Sequence, residues 1–198
     1  IGKRAGTPPA PVVRISGEKQ MAKEVEDIAA ALSSIENPWE QRVAAMRRLE
    51  GMVKGDAQSV PGFMQLLATR LKEPVGAQCL DLRSLVVKEA GSCIETLSKE
   101  LGDSLELLTD HFVDALFKLV ATTNKTMAEC GHHAMLAMLR NSRVNRGVAK
   151  VLDVLSSSKI AAQRQHAAEY IGVILRHGRR YQSGGVLDRL QDQIEAAL

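Results

Sequence analysis

An all-α solenoid of about four helix pairs plus one further helix is the fold this sequence predicts, on three observations. A small residue is followed at +4 and +7 by large apolar ones four times over: Ala45, Leu49, Met52; Ala90, Ile94, Leu97; Gly131, Met135, Met138; and Ala167, Ile171, Ile174. Positions i, i+4 and i+7 share one stripe of an α-helix, and the small residue lets a neighbouring helix approach closely. The small anchors stand 45, 41 and 36 positions apart, and a recurrence of that length marks stacked repeats. Each of these helices is preceded by another apolar stretch at helical spacing, with no useful length of strand-like alternation between them.

Residues 1–15 are expected to be a linker or N-terminal extension. Thr7-Pro8-Pro9-Ala10-Pro11 has a polyproline character, which suits an interdomain linker more often than a ligand for a proline-reading module. Val12, Val13 and Ile15 can pack on the first helix pair or on an outer face. Residues 16–198 make the solenoid domain. Its first helix is expected to begin at Ser16-Gly17-Glu18 with Ser16 as N-cap, and it carries Met21, Val25, Ile28 and Leu32. The second opens at Trp39 behind Pro38, a residue that tolerates the first helical turn and little else. Phe63, Leu66, Leu67 and Leu71 mark the helix before the Ala90 stripe; Phe112, Leu116 and Leu119 precede the Gly131 stripe; Val148, Val151, Leu152 and Leu155 precede the Ala167 stripe. Gly184-Gly185 reads as a turn before a last helix bearing Val186, Leu187, Leu190, Ile194 and Leu198. That stripe has no partner after it and would be a liability if left exposed, so the domain is read as truncated on its C-terminal side. Helix pairs of this repeat length belong to solenoids of the HEAT or armadillo kind.

Composition narrows the function. The chain is 45% apolar and 25% charged, an ordinary globular balance. No apolar run approaches the ~18 residues of a membrane span, and the N-terminus lacks the apolar core of a signal peptide. With three scattered cysteines, a reduced, intracellular setting without a membrane partner is expected. A net charge of +3 is weaker and less localised than a nucleic-acid binder usually shows. Phe63, Phe112, Phe117 and Tyr170 fall on core stripes, which leaves only Trp39 and Tyr181 for base stacking; no nucleic-acid ligand is expected. Cys130, His132 and His133 invite a metal reading, but no CxxC, HExxH or second close cluster completes a ligand set. Cys79 and Cys93 read as small packing residues. Phosphate-cradling glycine loops and a GxSxG nucleophile elbow are absent, so no enzyme, metal or cofactor is predicted.

Interaction is what remains. Trp39 is the only tryptophan and stands at the lip of a repeated helix, where a large ring is better placed to touch another protein than to fill a core. Arg42, Arg83 and Lys88, Lys125, Lys159 and Arg164 lie near the turns inside the pairs. Stacked turns share one edge of a solenoid, so these cations are expected to form a row that steers an acidic partner.

At the same turns, Trp39-Glu40-Gln41-Arg42-Val43, Asp81-Leu82-Arg83-Ser84 with Val86-Val87-Lys88-Glu89-Ala90, and Lys125-Thr126-Met127-Ala128-Glu129 closely resemble the TOG domains of CLASP proteins. The resemblance covers roughly residues 14–198 and is best to the second TOG domain. It implies a flat paddle of HEAT repeats whose intra-repeat loops bind αβ-tubulin, as the free heterodimer or in the microtubule lattice. It also implies a monomeric domain without cofactor, in a larger cytoplasmic protein that tracks microtubule plus ends and the spindle and promotes rescue or suppresses catastrophe. By the same resemblance Trp39 is the first-loop tryptophan that packs on tubulin. Arg83 holds the second-loop basic position with Ser84 as a hydrogen-bonding neighbour, and Lys88 lies just inside that helix. Lys125 is the third-loop lysine, and Asn124 stands where a small polar residue is usual. Lys159 is the fourth-loop cation, with Arg164 one turn into the following helix. TOG domains usually hold six repeats, so fifth-loop contacts have no counterpart here. Two other readings stay open: a HEAT scaffold for a non-tubulin protein with a structural Trp39, and a TOG domain that binds only the lattice.

Overall fold

The structure, a computed structural model, describes residues 10–177. Within them run α1 (Glu18–Leu32), α2 (Trp39–Lys54), α3 (Phe63–Leu66), α4 (Lys72–Gln78), α5 (Ser84–Leu101), α6 (Glu106–Val120), α7 (Lys125–Asn141), α8 (Asn145–Ser157) and α9 (Ala161–Arg176). The expected pairs are present as α1 with α2, α3–α4 with α5, α6 with α7, and α8 with α9. No strand occurs among the described residues, and none of their helices is long and apolar enough to cross a membrane. The expected last helix, its Gly184-Gly185 turn and Tyr181 lie outside the described residues.

The apolar stripes bury as their spacing requires. Met21, Val25, Ile28 and Leu32 line the inner face of α1, and all four small-residue stripes are buried in one continuous core. Phe63, Phe112, Phe117 and Tyr170 are core residues, as predicted. A Cβ added to Gly131 would stand 2.9 Å from Leu119 Cγ; the absent side chain is what brings α7 this close to α6.

Two local details differ from the sequence reading. Ser16 does not cap α1: Gly17 holds that position, and the Ser16 amide and hydroxyl both donate to Gln20 Oε1, at 2.9 and 2.7 Å. The side chain one turn in reaches back, so the serine has no need to reach forward. The first helix of the second pair is also not regular. Residues Leu67–Leu71 make a π-turn between α3 and α4. Pro74 follows at once, and its ring cannot donate to the Arg70 carbonyl and crowds it, so a widened turn relieves the clash.

Residues 10–15 lie against α2. The Val13 amide donates to Gly51 O at 2.9 Å, and Val13 enters the core while Val12 stays exposed. A Cβ on Gly55 would fall 2.0 Å from Val13 O, so glycine is required for the strand of chain to lie this close.

Hydrogen bonds between neighbouring pairs set the stacking. Cys93 Sγ donates to Met46 O and Thr96 Oγ1 to Glu50 Oε2, 47 and 46 positions away. Gly91 approaches Cys130, and His132 meets Tyr170 at 3.0 Å. In each case the partners sit at similar depths along α2 and α5, α5 and α7, or α7 and α9. The second helices are therefore parallel and in register, and their N-termini emerge on one edge.

Beneath this stack, Glu89 and Glu50 are buried together. Burial, then repulsion from Glu50, raises the Glu89 pKa to about 7 against the opposing charges of Arg47 and Lys54. Held protonated, Glu89 donates a hydrogen bond to the Glu50 carboxylate rather than repelling it. A carboxyl whose folded pKa is raised contributes stability below its unfolded pKa near 4.5 and loses it as pH climbs through 7. Chemical denaturation should therefore show this contribution falling between about pH 4.5 and 7, and Glu89→Gln should flatten that slope. An unchanged slope in the variant would refute the assignment.

Candidate functional site

The edge where the second helices begin carries the four intra-pair turns: residues 33–38, 79–83, 121–124 and 158–160. The first two are joined by a buried cation. Arg42 is fully buried, not part of a surface row as the sequence suggested. Its Nη1 donates to Gln78 Oε1 at 2.6 Å and to Asp81 Oδ2 at 2.7 Å, and its Nε to Asn37 O at 3.1 Å. Gln78 Nε2 in turn donates to Leu32 O at 3.1 Å. One guanidinium thus ties the end of α1, the first turn and the second turn into a single unit.

Asp81 is the hinge of the second turn. Its Oδ1 accepts from the Arg83 amide at 2.6 Å, while Oδ2 holds Arg42. Burial would raise its pKa, but the Arg83 N–H, the Arg42 hydrogen bond and both cationic charges outweigh it and hold the carboxyl below its ordinary value. Tied down at both oxygens, Asp81 fixes where Arg83 leaves the backbone. The Arg83 side chain itself remains 58% exposed, with Nη1 3.9 Å from Asp81 Oδ1.

Over this frame lies an open groove of roughly 330 Å³, lined by Ile35, Pro38, Trp39, Leu80, Leu82 and Arg83 among others. Trp39 is half-buried: it packs on the core and also presents surface to the groove. Leu82 is 96% exposed, and Ile35, Leu80 and Leu85 are also exposed. These leucines and the isoleucine were missed as site residues in the sequence. Their signal was available, since they are apolar residues in or beside turns that belong to no buried stripe. Apolar side chains gathered on a surface and rimmed by charge mark a contact site for another macromolecule.

The remaining positions divide by what already engages them. Ser84 and Lys88 are exposed at the start of α5. Asn124 caps α7, its side-chain oxygen accepting from the Met127 amide at 3.3 Å. Lys125 and Lys159 are exposed on the third and fourth turns. Arg164 is exposed but folds back to donate to Ser158 O at 2.6 Å, bracing the fourth turn. Gln163 Nε2 adds a bond to Phe117 O at 3.3 Å. The geometry therefore brings Trp39 and Arg83 together in one groove, with Lys125 and Lys159 following along the same edge.

The family described as "CLASP N terminal" matches residues 21–198. The chain belongs to it. It is 35% identical over 169 residues to a protein of Arabidopsis thaliana named CLIP-associated protein, covering 85% of this chain and 12% of that one. It is 27% identical over 166 residues to CLIP-associating protein 1-B of Xenopus laevis, covering 84% and 11%. Protein CLASP-2 of Caenorhabditis elegans is 24% identical over 190 residues, covering 95% and 18%. This CLASP N-terminal chain thus spans less than a fifth of the length of these relatives. The match also covers the strings around Trp39, Arg83 and Lys125 that carried the resemblance in the sequence.

Proposed function

We propose that this CLASP-family domain is a TOG domain, most like the second of its kind, that binds αβ-tubulin with the edge bearing the intra-pair turns. The observation that carries this reading is the groove between the first two turns, where Trp39 and exposed leucines are flanked by a positioned Arg83. An indole and apolar side chains supply the desolvated centre of a protein interface, and peripheral cations supply orientation and encounter rate. Lys125 and Lys159 extend the cationic side of that edge toward an acidic tubulin surface, with Ser84, Lys88 and Asn124 beside it. Arg164 acts from behind by holding the fourth turn. The chemistry is non-covalent; any nucleotide hydrolysis belongs to tubulin.

In the whole protein such a domain would work at microtubule ends in the cytoplasm, at plus ends and the spindle, promoting rescue or suppressing catastrophe. It acts on assembly only through unequal affinity for tubulin in different curvatures. The relatives' names, which speak of CLIP association, support a place among microtubule regulators.

The test is co-migration of the 198-residue chain with purified αβ-tubulin on size exclusion, together with co-sedimentation on stabilised microtubules. Binding should weaken as ionic strength rises, because screening shortens the reach of exposed charges. Arg83→Glu and Lys125→Glu should each weaken it further and flatten the salt dependence. Lattice co-sedimentation without dimer binding would select the lattice-only reading. Absence of both would leave the fold as a scaffold for a different protein.

A further inference from the structure

We propose that His132, His166 and Glu169 form a binding site for a zinc-class divalent cation that clasps the third helix pair to the fourth. The site is independent of the tubulin-binding reading and lies away from the turns, on the face where α7 meets α9. His166 and Glu169 are three residues apart on α9 and so share one helical face; His132 meets them from α7. One donor atom from each lies within 4.8 Å of the other two. The sequence had grouped His132 with Cys130 and His133, its neighbours in the chain, but the fold turns it toward α9.

The donors are poised and underused. Glu169 stands between two imidazoles, with Oε1 3.7 Å from His132 Nε2 and Oε2 3.9 Å from His166 Nδ1. Both gaps are too long for hydrogen bonds. His166 Nδ1 is shielded from solvent and has no hydrogen-bond partner among the described residues, an unusual state for a buried polar atom. His132 Nδ1 lies 3.0 Å from the Tyr170 hydroxyl. In the tautomer whose Nδ1–H donates to the phenol oxygen, the Nε2 lone pair faces Glu169 and is open to a cation placed between them. A hydrogen bond behind a ligating imidazole plays this part in metal sites generally. The two imidazoles lie 4.6 Å apart by centroid, and both stack on Tyr170, at 5.7 and 5.9 Å.

These dimensions fit a small tetrahedral ion. Bonds of about 2.0–2.1 Å place neighbouring ligands roughly 3.4 Å apart, so the two measured gaps need closing by only a few tenths of an ångström. The remaining separations, all within 4.8 Å, must close further as the side chains gather on an ion. Two nitrogen donors and one carboxylate suit zinc, cobalt or nickel; magnesium and calcium want more oxygen than the cluster offers. A fourth position would be left to water. Arg140 approaches His132 closely enough to influence it, and its charge opposes the cation, so the ion is expected to be exchangeable.

Zinc ion alone is the probe, titrated into the 198-residue chain in competition with a chromophoric indicator at pH 7.5. One equivalent should bind, with a Kd on the order of micromolar. His166→Ala and the exposed, conservative Glu169→Gln should each weaken binding at least tenfold. Tyr170→Phe should weaken it by roughly tenfold, the lower range for a partner behind a ligand, with an unchanged circular dichroism spectrum. Cys130→Ser and His133→Ala should change nothing. Cobalt should give d–d bands without thiolate charge transfer. The proposal is overturned if no stoichiometric binding occurs, if Glu169→Gln binds as well as wild type, or if Cys130→Ser abolishes binding.

Discussion

Arg42→Ala is expected to destabilise the domain by about 3–5 kcal/mol, the usual cost of removing one partner from a buried ion pair. The alanine leaves the Asp81 carboxylate, Gln78 Oε1 and the Asn37 carbonyl without the donor they share. The lower half of that range is the better expectation, because Arg42 Nη2 has no partner among the described residues and its burial is already a cost. Lysine should not rescue, since one ammonium cannot reach as Nε and Nη1 do together. Urea denaturation reads the loss directly, and a change below about 1 kcal/mol would show the network to be dispensable.

The pH dependence of that loss has a fixed sign. Asp81 has a depressed folded pKa, so its contribution is fully present above the unfolded carboxylate value near 4. It fades as pH falls through the folded pKa. Wild type should therefore lose this stability in acid, and Arg42→Ala should lose much less over the same interval.

Trp39→Ala is expected to weaken tubulin binding by about 2 kcal/mol or more, roughly 30-fold in Kd, the range typical of a buried interface tryptophan. The ring is half-buried in the free domain, so part of the truncation cost appears as lost stability. The two effects separate experimentally. Thermal unfolding of the variant reports the packing loss, and a binding titration well below that midpoint reports the interface. Weakened binding in a domain that remains folded supports the proposed edge. Unchanged binding with a large drop in stability would make Trp39 a structural residue and move the contact elsewhere. Leu82→Glu is a useful companion because Leu82, at 96% exposure, should alter binding with little effect on the fold.

The fold was legible because it is written locally. Each helix carries its own stripe, whose small residues Ala45, Ala90, Gly131 and Ala167 are all buried, and Gly131 marks the close approach of α7 to α6. What the sequence hid depends on residues one repeat apart. Arg42 looks like any cation one turn into a helix; only Asp81, 39 positions on, shows that it is an internal strut. His132 is adjacent to His133 in the chain, yet its partners stand more than 30 residues away on α9. Leu80 and Leu82 interrupt no periodic pattern, so helical spacing had nothing to say about them. The cationic row was read by position in the turns. Position alone cannot separate Arg83 and Lys125, which reach solvent, from Arg42, which is buried, or Arg164, which braces a carbonyl.

The in-register stacking of the second helices bears on how the molecule comes apart. Bonds such as Thr96 to Glu50 and His132 to Tyr170 link each layer to the one beside it, 46 and 38 positions away. A chain wired this way frays from its ends and has no single seam whose failure dissolves the whole. Amide exchange should then be slow in the middle of α5, which packs on α2 on one side and α7 on the other. The groove lies over the first two of these layers, which the Arg42 strut ties together through Gln78 and Asp81.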